Sequence, residues 1–163
     1  MKKSKRAPSV GPEKKKKKTA AKPPVTEELT ITGDEITQSS AFRRAVMDAE
    51  AYARDPQRLR QLVEDAVGKI NVIPRGPFAD TWPYLMAMIR LIRAYHRAEY
   101  RDLTEENLRT VLAAIIYFVS PFDVIPDYVP IIGHIDDAVV ISLALRSVRA
   151  DLDTFMAWET ARV

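Results

Sequence analysis

The hydrophobic and polar positions between residues 40 and 160 repeat with the spacing of α-helices. Ser39 or Ser40 can cap a first helix that ends near Asp55. Its apolar face comprises Phe42, Val46, Ala49 and Tyr52 or Ala53. Asp55-Pro56 then opens a second helix, in which apolar residues recur at intervals of three and four up to Ile70.

The next two predicted helices differ in how much apolar surface they carry. After a linker at residues 71–77, a third helix over residues 81–100 is apolar in its first half and basic in its second. Thr104 opens a fourth helix, whose residues 111–119 are uninterrupted apolar sequence. A helix without a polar face is buried on all sides, so we expect this one at the centre of the fold.

A fifth helix begins near Ile135 or Asp136 and continues to about Met156. Strand-like alternation is scarce and the chain contains five glycines, whereas helix-forming residues dominate after residue 40. The sequence therefore predicts an all-α fold. We expect an irregular bundle of about five helices, with a Pro-rich break between the two central apolar helices.

Residues 120–137 form this break, and generic helix packing does not predict their composition. Prolines at 121, 126 and 130 remove backbone donors and disfavour helical geometry in the residues before them. The same stretch holds four carboxylates, at Asp123, Asp127, Asp136 and Asp137. A long helix cannot run through this segment, so the chain must turn here.

Helix-start chemistry accounts for the first part of the break. Ser120 fits a cap, Pro121 fits the first helical position, and Asp123 can reach back to a free amide. Pro126 and Pro130 flank Asp127, which has no obvious local partner. These residues are predicted to be a structural signature.

The second part of the break has a similar explanation. Gly133 permits the turn before the fifth helix, and Asp136 and Asp137 fall in the first turn of that helix. Negative charge in a first turn meets unpaired amides and the positive end of the helix dipole. These roles require no ligand.

A sharper hypothesis is that Asp123, Asp127, Asp136 and Asp137 converge on Mg²⁺ or Ca²⁺, since both cations prefer oxygen ligands. The spacing matches no calcium-binding loop, however, and capping explains three of the four acids, so the sequence favours no metal. No nucleophile motif, phosphate loop or dinucleotide fingerprint is present. We expect no cofactor, and enzymatic activity is disfavoured. A divalent-metal-dependent hydrolase that uses these acids is a third hypothesis for the function, after membrane association and nucleic-acid binding.

The amino-terminal segment differs from the rest of the chain in charge. Ten of the 25 Lys and Arg residues but only one of the 22 acids lie within residues 1–22, so this tail carries +9 and the remainder −6. Its centre is the run Lys14, Lys15, Lys16, Lys17 and Lys18. We predict a disordered tail and linker at residues 1–38, which lack apolar periodicity, and a helical domain at residues 39–163.

Residues 117–137 read YFVSPFDVIPDYVPIIGHIDD and closely resemble the signature of the YkvA-like family, a domain of unknown function. The resemblance spans residues 117–150 and extends more loosely from Asp55 onward, whereas the basic tail lies outside it. It implies a small helical domain that is often predicted to be membrane-associated and has no established enzyme activity. It supplies no catalytic residues.

Hydropathy and charge together favour a membrane-associated module. Residues 111–133 contain only two charges, but the prolines exclude a straight span, and residues 111–119 extend only about 14 Å as a helix. They can instead pair with residues 138–145 as a re-entrant hairpin or as a contact for a membrane protein. The tail would then anchor the domain to anionic lipids, on the cytoplasmic side of the membrane.

Two alternatives stay open from the sequence. The apolar helices can be the core of a soluble cytoplasmic domain, in which case the tail binds nucleic acid non-specifically. The tail can also be a mere solubilising extension. The chain has no cysteine, which excludes disulfides and Cys-ligated metal centres and fits a reducing compartment. The oligomeric state is not predicted.

Overall fold

A computed structural model describes residues 33–120 and 135–163 of the chain. Within these ranges the chain forms helices and no strand, an irregular helical bundle as the sequence predicts. The elements are α1 (Gly33–Gln38), α2 (Ser40–Arg54), α3 (Pro56–Ile70), a 3-10 turn (Gly76–Phe78), α4 (Trp82–His96), α5 (Glu105–Val119) and α6 (Ile135–Ala161).

Side-chain caps begin three of these helices at the predicted residues. The Ser39 hydroxyl accepts a hydrogen bond from the Phe42 amide at 3.1 Å. The Asp55 carboxylate accepts two amide hydrogen bonds at the start of α3, at 3.0 and 3.2 Å. Thr104 Oγ1 accepts from the Asn107 amide at 3.1 Å. Each cap satisfies donors that the first helical turn leaves unpaired, which is why sequence located these starts well.

Helix α5 is the centre of the bundle, as its uninterrupted apolar sequence predicts. Every side chain from residue 111 to residue 118 is less than a tenth exposed. Helices α2, α3, α4 and α6 all pack against it. The four surrounding helices therefore cover the apolar residues of α5.

Four features of the fold differ from the predicted helices. Helix α1 lies inside the segment predicted to be disordered, and the burial of Ile36 holds a helix too short to be stable alone. Helix α4 ends at His96 rather than residue 100, because Ala98 adopts a left-handed φ of 58°. Helix α6 continues to Ala161. Val46, predicted on the apolar face of α2, is 49% exposed.

Polar contacts join α4 to the second half of α6. Arg90 makes a two-pronged ion pair with Glu159, with Nε–Oε1 and Nη2–Oε2 distances of 2.9 and 3.0 Å. Nearer the middle of α6, the Tyr84 hydroxyl donates to Asp153 at 2.9 Å. Planar guanidinium–carboxylate pairs are directional, so the Arg90 pair fixes the register of α4 against α6 as well as their separation.

Aromatic rings close the bundle at the carboxyl end of α6. The Tyr100 ring lies 5.0 Å from those of Phe155 and Trp158, measured between centroids. Its hydroxyl is buried and has no hydrogen-bond partner among the described residues. Burial raises the pKa of Tyr100 above its ordinary value near 10, and the negative charges of Asp102 and Asp151 raise it further.

Replacing Tyr100 with Phe removes the unpaired hydroxyl and keeps the ring contacts. We expect the free energy of unfolding at pH 7 to stay the same or to rise by roughly 1 kcal/mol, since a buried donor without a partner is destabilising. The pKa of Tyr100 is higher in the folded state than in the unfolded state. The free energy of unfolding of the wild type is therefore unaffected by this ionisation below pH 10 and falls as the pH rises beyond 10, because the unfolded chain loses its proton first. Urea unfolding at pH 7 and above pH 10 measures both effects.

The informative quantity is the difference in the free energy of unfolding between the two proteins, because they share every residue except Tyr100. We expect Tyr100→Phe to lose less stability than the wild type in the alkaline range. A clear loss of stability at pH 7 would contradict the assignment, since it would reveal a hydrogen bond at the Tyr100 hydroxyl.

Candidate functional site

A nearly buried cation lies where the ends of three helices meet. Lys69, in the last turn of α3, donates from Nζ to Asp137 Oδ2 at 2.8 Å and to the carbonyl oxygen of Phe118. Its ammonium group also lies 4.9 Å from the centroid of the Phe118 ring. The Lys69 side chain is 13% exposed and that of Asp137 is fully buried. This is a long-range ion pair between α3 and α6, out of contact with bulk water on the acidic side.

A second buried carboxylate lies beside this pair. Asp136 Oδ2 accepts a hydrogen bond from the Tyr117 hydroxyl at 2.9 Å, and both residues are fully buried. Tyr117 and Phe118 belong to the last turn of α5, whereas Asp136 and Asp137 belong to the first turn of α6. We call Lys69, Tyr117, Phe118, Asp136 and Asp137 the buried polar cluster.

The buried polar cluster connects the two helix ends that flank the break in the sequence. The carboxyl end of a helix leaves carbonyl groups unpaired and attracts cations, and Lys69 meets one of these carbonyls at the end of α5. The same ammonium group neutralises a carboxylate at the start of α6. One lysine from α3 therefore holds the end of α5 and the start of α6 together.

Sequence reasoning placed Asp136 and Asp137 in a first turn, where the structure has them, but missed their side-chain partners on α3 and α5. Lys69 is 68 residues from Asp137 in the chain, so no local pattern connects them. A lysine on the otherwise apolar side of an amphipathic helix was the one available signal.

The remaining signature residues are only partly accessible to a structural test. Ser120 ends α5 with extended backbone angles of −63° and 133°, and the helix that it was predicted to cap would begin beyond the described residues. The other predicted positions, Pro121, Asp123, Pro126, Asp127, Pro130 and Gly133, also lie outside the described residues, as do Lys14 to Lys18. Their predicted roles stay predictions.

The predicted cation site is also only partly covered by the described residues. Within residues 33–120 and 135–163, no three His, Cys, Asp or Glu side chains are grouped as metal ligands would be. Asp136 and Asp137 are neighbours in the chain, and they bind Tyr117 and Lys69, respectively. Asp123 and Asp127 lie outside those ranges, so the four-acid site stays a prediction.

A second charged feature is a pocket on the surface between α3 and α4, with a volume of about 450 Å³. We call it the basic pocket. Its lining residues are Arg60, Val63, Glu64, Val67, Arg93, His96 and Arg97. Three guanidinium groups therefore share one concave surface with a single carboxylate.

The charges of the basic pocket are not balanced within the described part of the chain. Arg60 Nε lies 3.3 Å from Glu64 Oε1, in an exposed ion pair between residues one helical turn apart. Arg93 and Arg97 have no ion pair with any described residue, and the buried Nδ1 atom of His96 has no hydrogen-bond partner there. A guanidinium group can donate two parallel hydrogen bonds to the oxygens of one carboxylate or phosphate. This pocket therefore offers donors that suit an anion.

The described helices also bear on how the chain can meet a membrane. None of them combines the length and the apolar character that crossing a membrane requires.

Breaking the Lys69–Asp137 pair from either side is expected to destabilise the fold strongly. Asp137→Ala leaves a nearly buried ammonium group without its carboxylate, and Lys69→Met leaves a buried carboxylate without its cation. Each single change should lower the free energy of unfolding by about 3–5 kcal/mol. Urea unfolding followed by circular dichroism gives the measurement.

The double variant Lys69→Met/Asp137→Ala is the control, because it removes both charges together. We expect its loss of stability to be well below the sum of the two single losses, since neither charge is left unpaired. Additive losses would show that the two groups do not interact across the α3–α6 contact.

Comparison with known proteins agrees with the signature in the break. The family described as "Protein of unknown function (DUF1232)" matches residues 108–143, which run from α5 through the break into α6. The chain is also similar to "Uncharacterized membrane protein YkvA" of Bacillus subtilis (strain 168), with 29% identity over 102 residues that cover 63% of this chain and 96% of that protein. No solved structure matches the chain. These matches confirm the predicted resemblance of this chain to the YkvA-like family.

Proposed function

We propose that this chain is a non-enzymatic helical module that associates with an anionic membrane surface through charge. The observation that carries the proposal is the basic pocket, in which Arg93 and Arg97 face solvent without a carboxylate partner among the described residues. Phosphate groups of anionic lipids supply the oxygen atoms that such a pair of guanidinium groups binds best. The proposed location is the cytoplasmic face, because anionic lipids give that leaflet its negative surface potential.

The basic tail supports the same proposal from the sequence. Lys14 to Lys18 place five positive charges in succession, and each basic residue near an anionic membrane surface contributes about 1 kcal/mol of attraction. The charge of the tail is opposite in sign to that of the rest of the chain. We therefore assign the tail, rather than the helical domain as a whole, the long-range attraction to the membrane.

The related protein from Bacillus subtilis supports the membrane as the target, since its name describes it as a membrane protein. The similarity extends over nearly the whole length of that protein. For this chain, a role at a membrane follows as a proposal from that likeness.

Burial of α5 changes which surface we assign to the membrane. The sequence offered the apolar pair at residues 111–119 and 138–145 as a hairpin for insertion. Residues 111–118 already pack inside the bundle, and exposing them to lipid would open their contacts with four other helices. Attachment through surface cations leaves that core intact, which is why we favour peripheral binding.

Sedimentation with lipid vesicles tests the proposal on the full-length chain. We expect binding to vesicles that contain phosphatidylserine, no binding to vesicles of phosphatidylcholine alone, and release at about 0.5 M salt, where the Debye length falls below roughly 5 Å. Replacing Lys14 to Lys18 with Ala should weaken binding by about 100-fold or more at low salt. Arg93→Ala/Arg97→Ala should weaken it by about tenfold or more.

A matched control removes the same number of positive charges from another exposed surface. Arg146 and Arg162 are both exposed on or beside α6 and lie outside the basic pocket. Arg146→Ala/Arg162→Ala should bind vesicles more tightly than the pocket variant. Equal losses of binding in the two double variants would show that the basic pocket acts only through the general positive charge of the surface. Full binding at high salt would contradict attachment through charge.

Nucleic acid is the competing partner for the tail and gives a distinct result. Co-purification of DNA or RNA that disappears on deletion of residues 1–22, together with no binding to anionic vesicles, would replace the membrane with nucleic acid as the target.

A further inference from the structure

We propose that the outer face of α2 is a dimer interface that binds a second copy of this chain, with the two α2 helices antiparallel. This surface lies apart from the basic pocket and does not depend on the proposed membrane role. The proposal rests on exposed apolar side chains, an adjoining groove and a charge pattern that is complementary to itself.

The exposed apolar side chains are Val46 and Met47. Their exposed fractions are 49% and 78%, and they are two of the four large hydrophobic residues exposed within the described part of the chain. The other two, Val72 and Val163, are separate residues of a loop and of the chain end. Adjacent exposed apolar residues in mid-helix form a contiguous patch, which is the kind of surface that partners cover.

A groove of about 430 Å³ adjoins these two residues. Ala113 and Ala114 of α5, each only slightly exposed, are part of its lining, and Leu143 of α6 lines it opposite α2. The full lining is Phe42, Val46, Met47, Glu50, Glu106, Arg109, Thr110, Ala113, Ala114, Val140, Leu143 and Ala144. Small residues between two helices leave room for protruding side chains, so Val46 and Met47 of a partner can enter here.

The polar residues beside the patch lie on the same face of α2. Arg43, Met47, Glu50 and Arg54 follow one another at intervals of four, three and four, which places them in one stripe along the helix. Arg43 has no ion pair with a described residue, and Glu50 pairs with Arg54 at 2.7 Å through an exposed contact of the kind that contributes little stability. A cation and an anion therefore flank the apolar patch, one on each side.

This order is what a two-fold interface requires, because each residue i that meets residue j of the partner must itself be met by the partner's j. When two α2 helices lie antiparallel and centred between Val46 and Met47, Val46 of one copy meets Met47 of the other. In the same register, Arg43 of each copy meets Glu50 of the other. Both apolar contacts and both ion pairs then form at once.

Charge also distinguishes a second copy from a lipid surface as the occupant. Glu50 and Glu106 line the groove together with one cation, Arg109, so the lining has a net negative charge that disfavours anionic lipid head groups. The same carboxylates attract Arg43 of a second copy. A single-helix interface is at the small end of specific interfaces, so we expect reversible, concentration-dependent dimers rather than permanent ones.

Sedimentation velocity of the full-length chain across a range of concentrations tests the proposal. We expect a monomer–dimer equilibrium that Met47→Glu weakens at least tenfold, because the substitution places two carboxylates in the apolar centre of the interface. Val72→Glu is the matched control, since Val72 is 81% exposed and lies outside the groove. It should dimerise like the wild type.

Charge reversal tests the antiparallel register. Arg43→Glu and Glu50→Arg should each weaken the dimer, since each places like charges opposite one another. The double variant Arg43→Glu/Glu50→Arg restores opposite charges and should recover most of the lost association. Circular dichroism confirms that all variants keep their helix content.

Three results would overturn the proposal. The first is a monomer at every concentration, and the second is a dimer that Met47→Glu leaves unchanged. The third is a chain that stays monomeric but loses vesicle binding on Met47→Glu, which would make this face a lipid contact instead. Vesicle binding that depends on Arg93 and Arg97 but not on Met47 keeps the two proposals separate.

Discussion

The ammonium group of Lys69 is the point at which α3, α5 and α6 are held to one another. It meets the Phe118 carbonyl at the end of α5 and the Asp137 carboxylate at the start of α6. Burying these groups is costly, and their mutual contacts offset that cost only while all of them stay in place. Helix packing alone would tolerate small shifts along the helix axes, whereas this pair fixes one arrangement of the two helix ends.

The rest of the structure follows from keeping α5 dry and central. Four helices cover it, so the polar and charged residues are displaced to surfaces with distinct characters. The α3–α4 surface carries arginines that have no ion pair with a described residue, whereas the outer face of α2 carries exposed apolar residues between opposite charges. These surfaces lie on different helices, and therefore attachment to a membrane and self-association need not compete in the roles proposed here.

Local chemistry explains where sequence prediction was accurate. Ser39, Asp55 and Thr104 each satisfy amides within three residues, so their roles are written into short stretches of chain. Prediction failed where the deciding contact is distant or conformational. Helix α1 depends on the burial of Ile36 by the bundle, and the end of α4 depends on an alanine in a left-handed conformation. Neither leaves a compositional signal.

By itself, the sequence determined the all-α class, most of the helix starts, the central position of α5 and the family resemblance. These features depend on periodicity, capping and apolar runs, which act over a few residues. Only the tertiary structure decided which charges are buried and which are exposed. Asp136 and Asp137 read as helix-start acids, yet they face Tyr117 and Lys69 in the interior. Val46 read as core, yet it borders an open groove. Burial is a property of how helices far apart in sequence meet, and no local pattern encodes it.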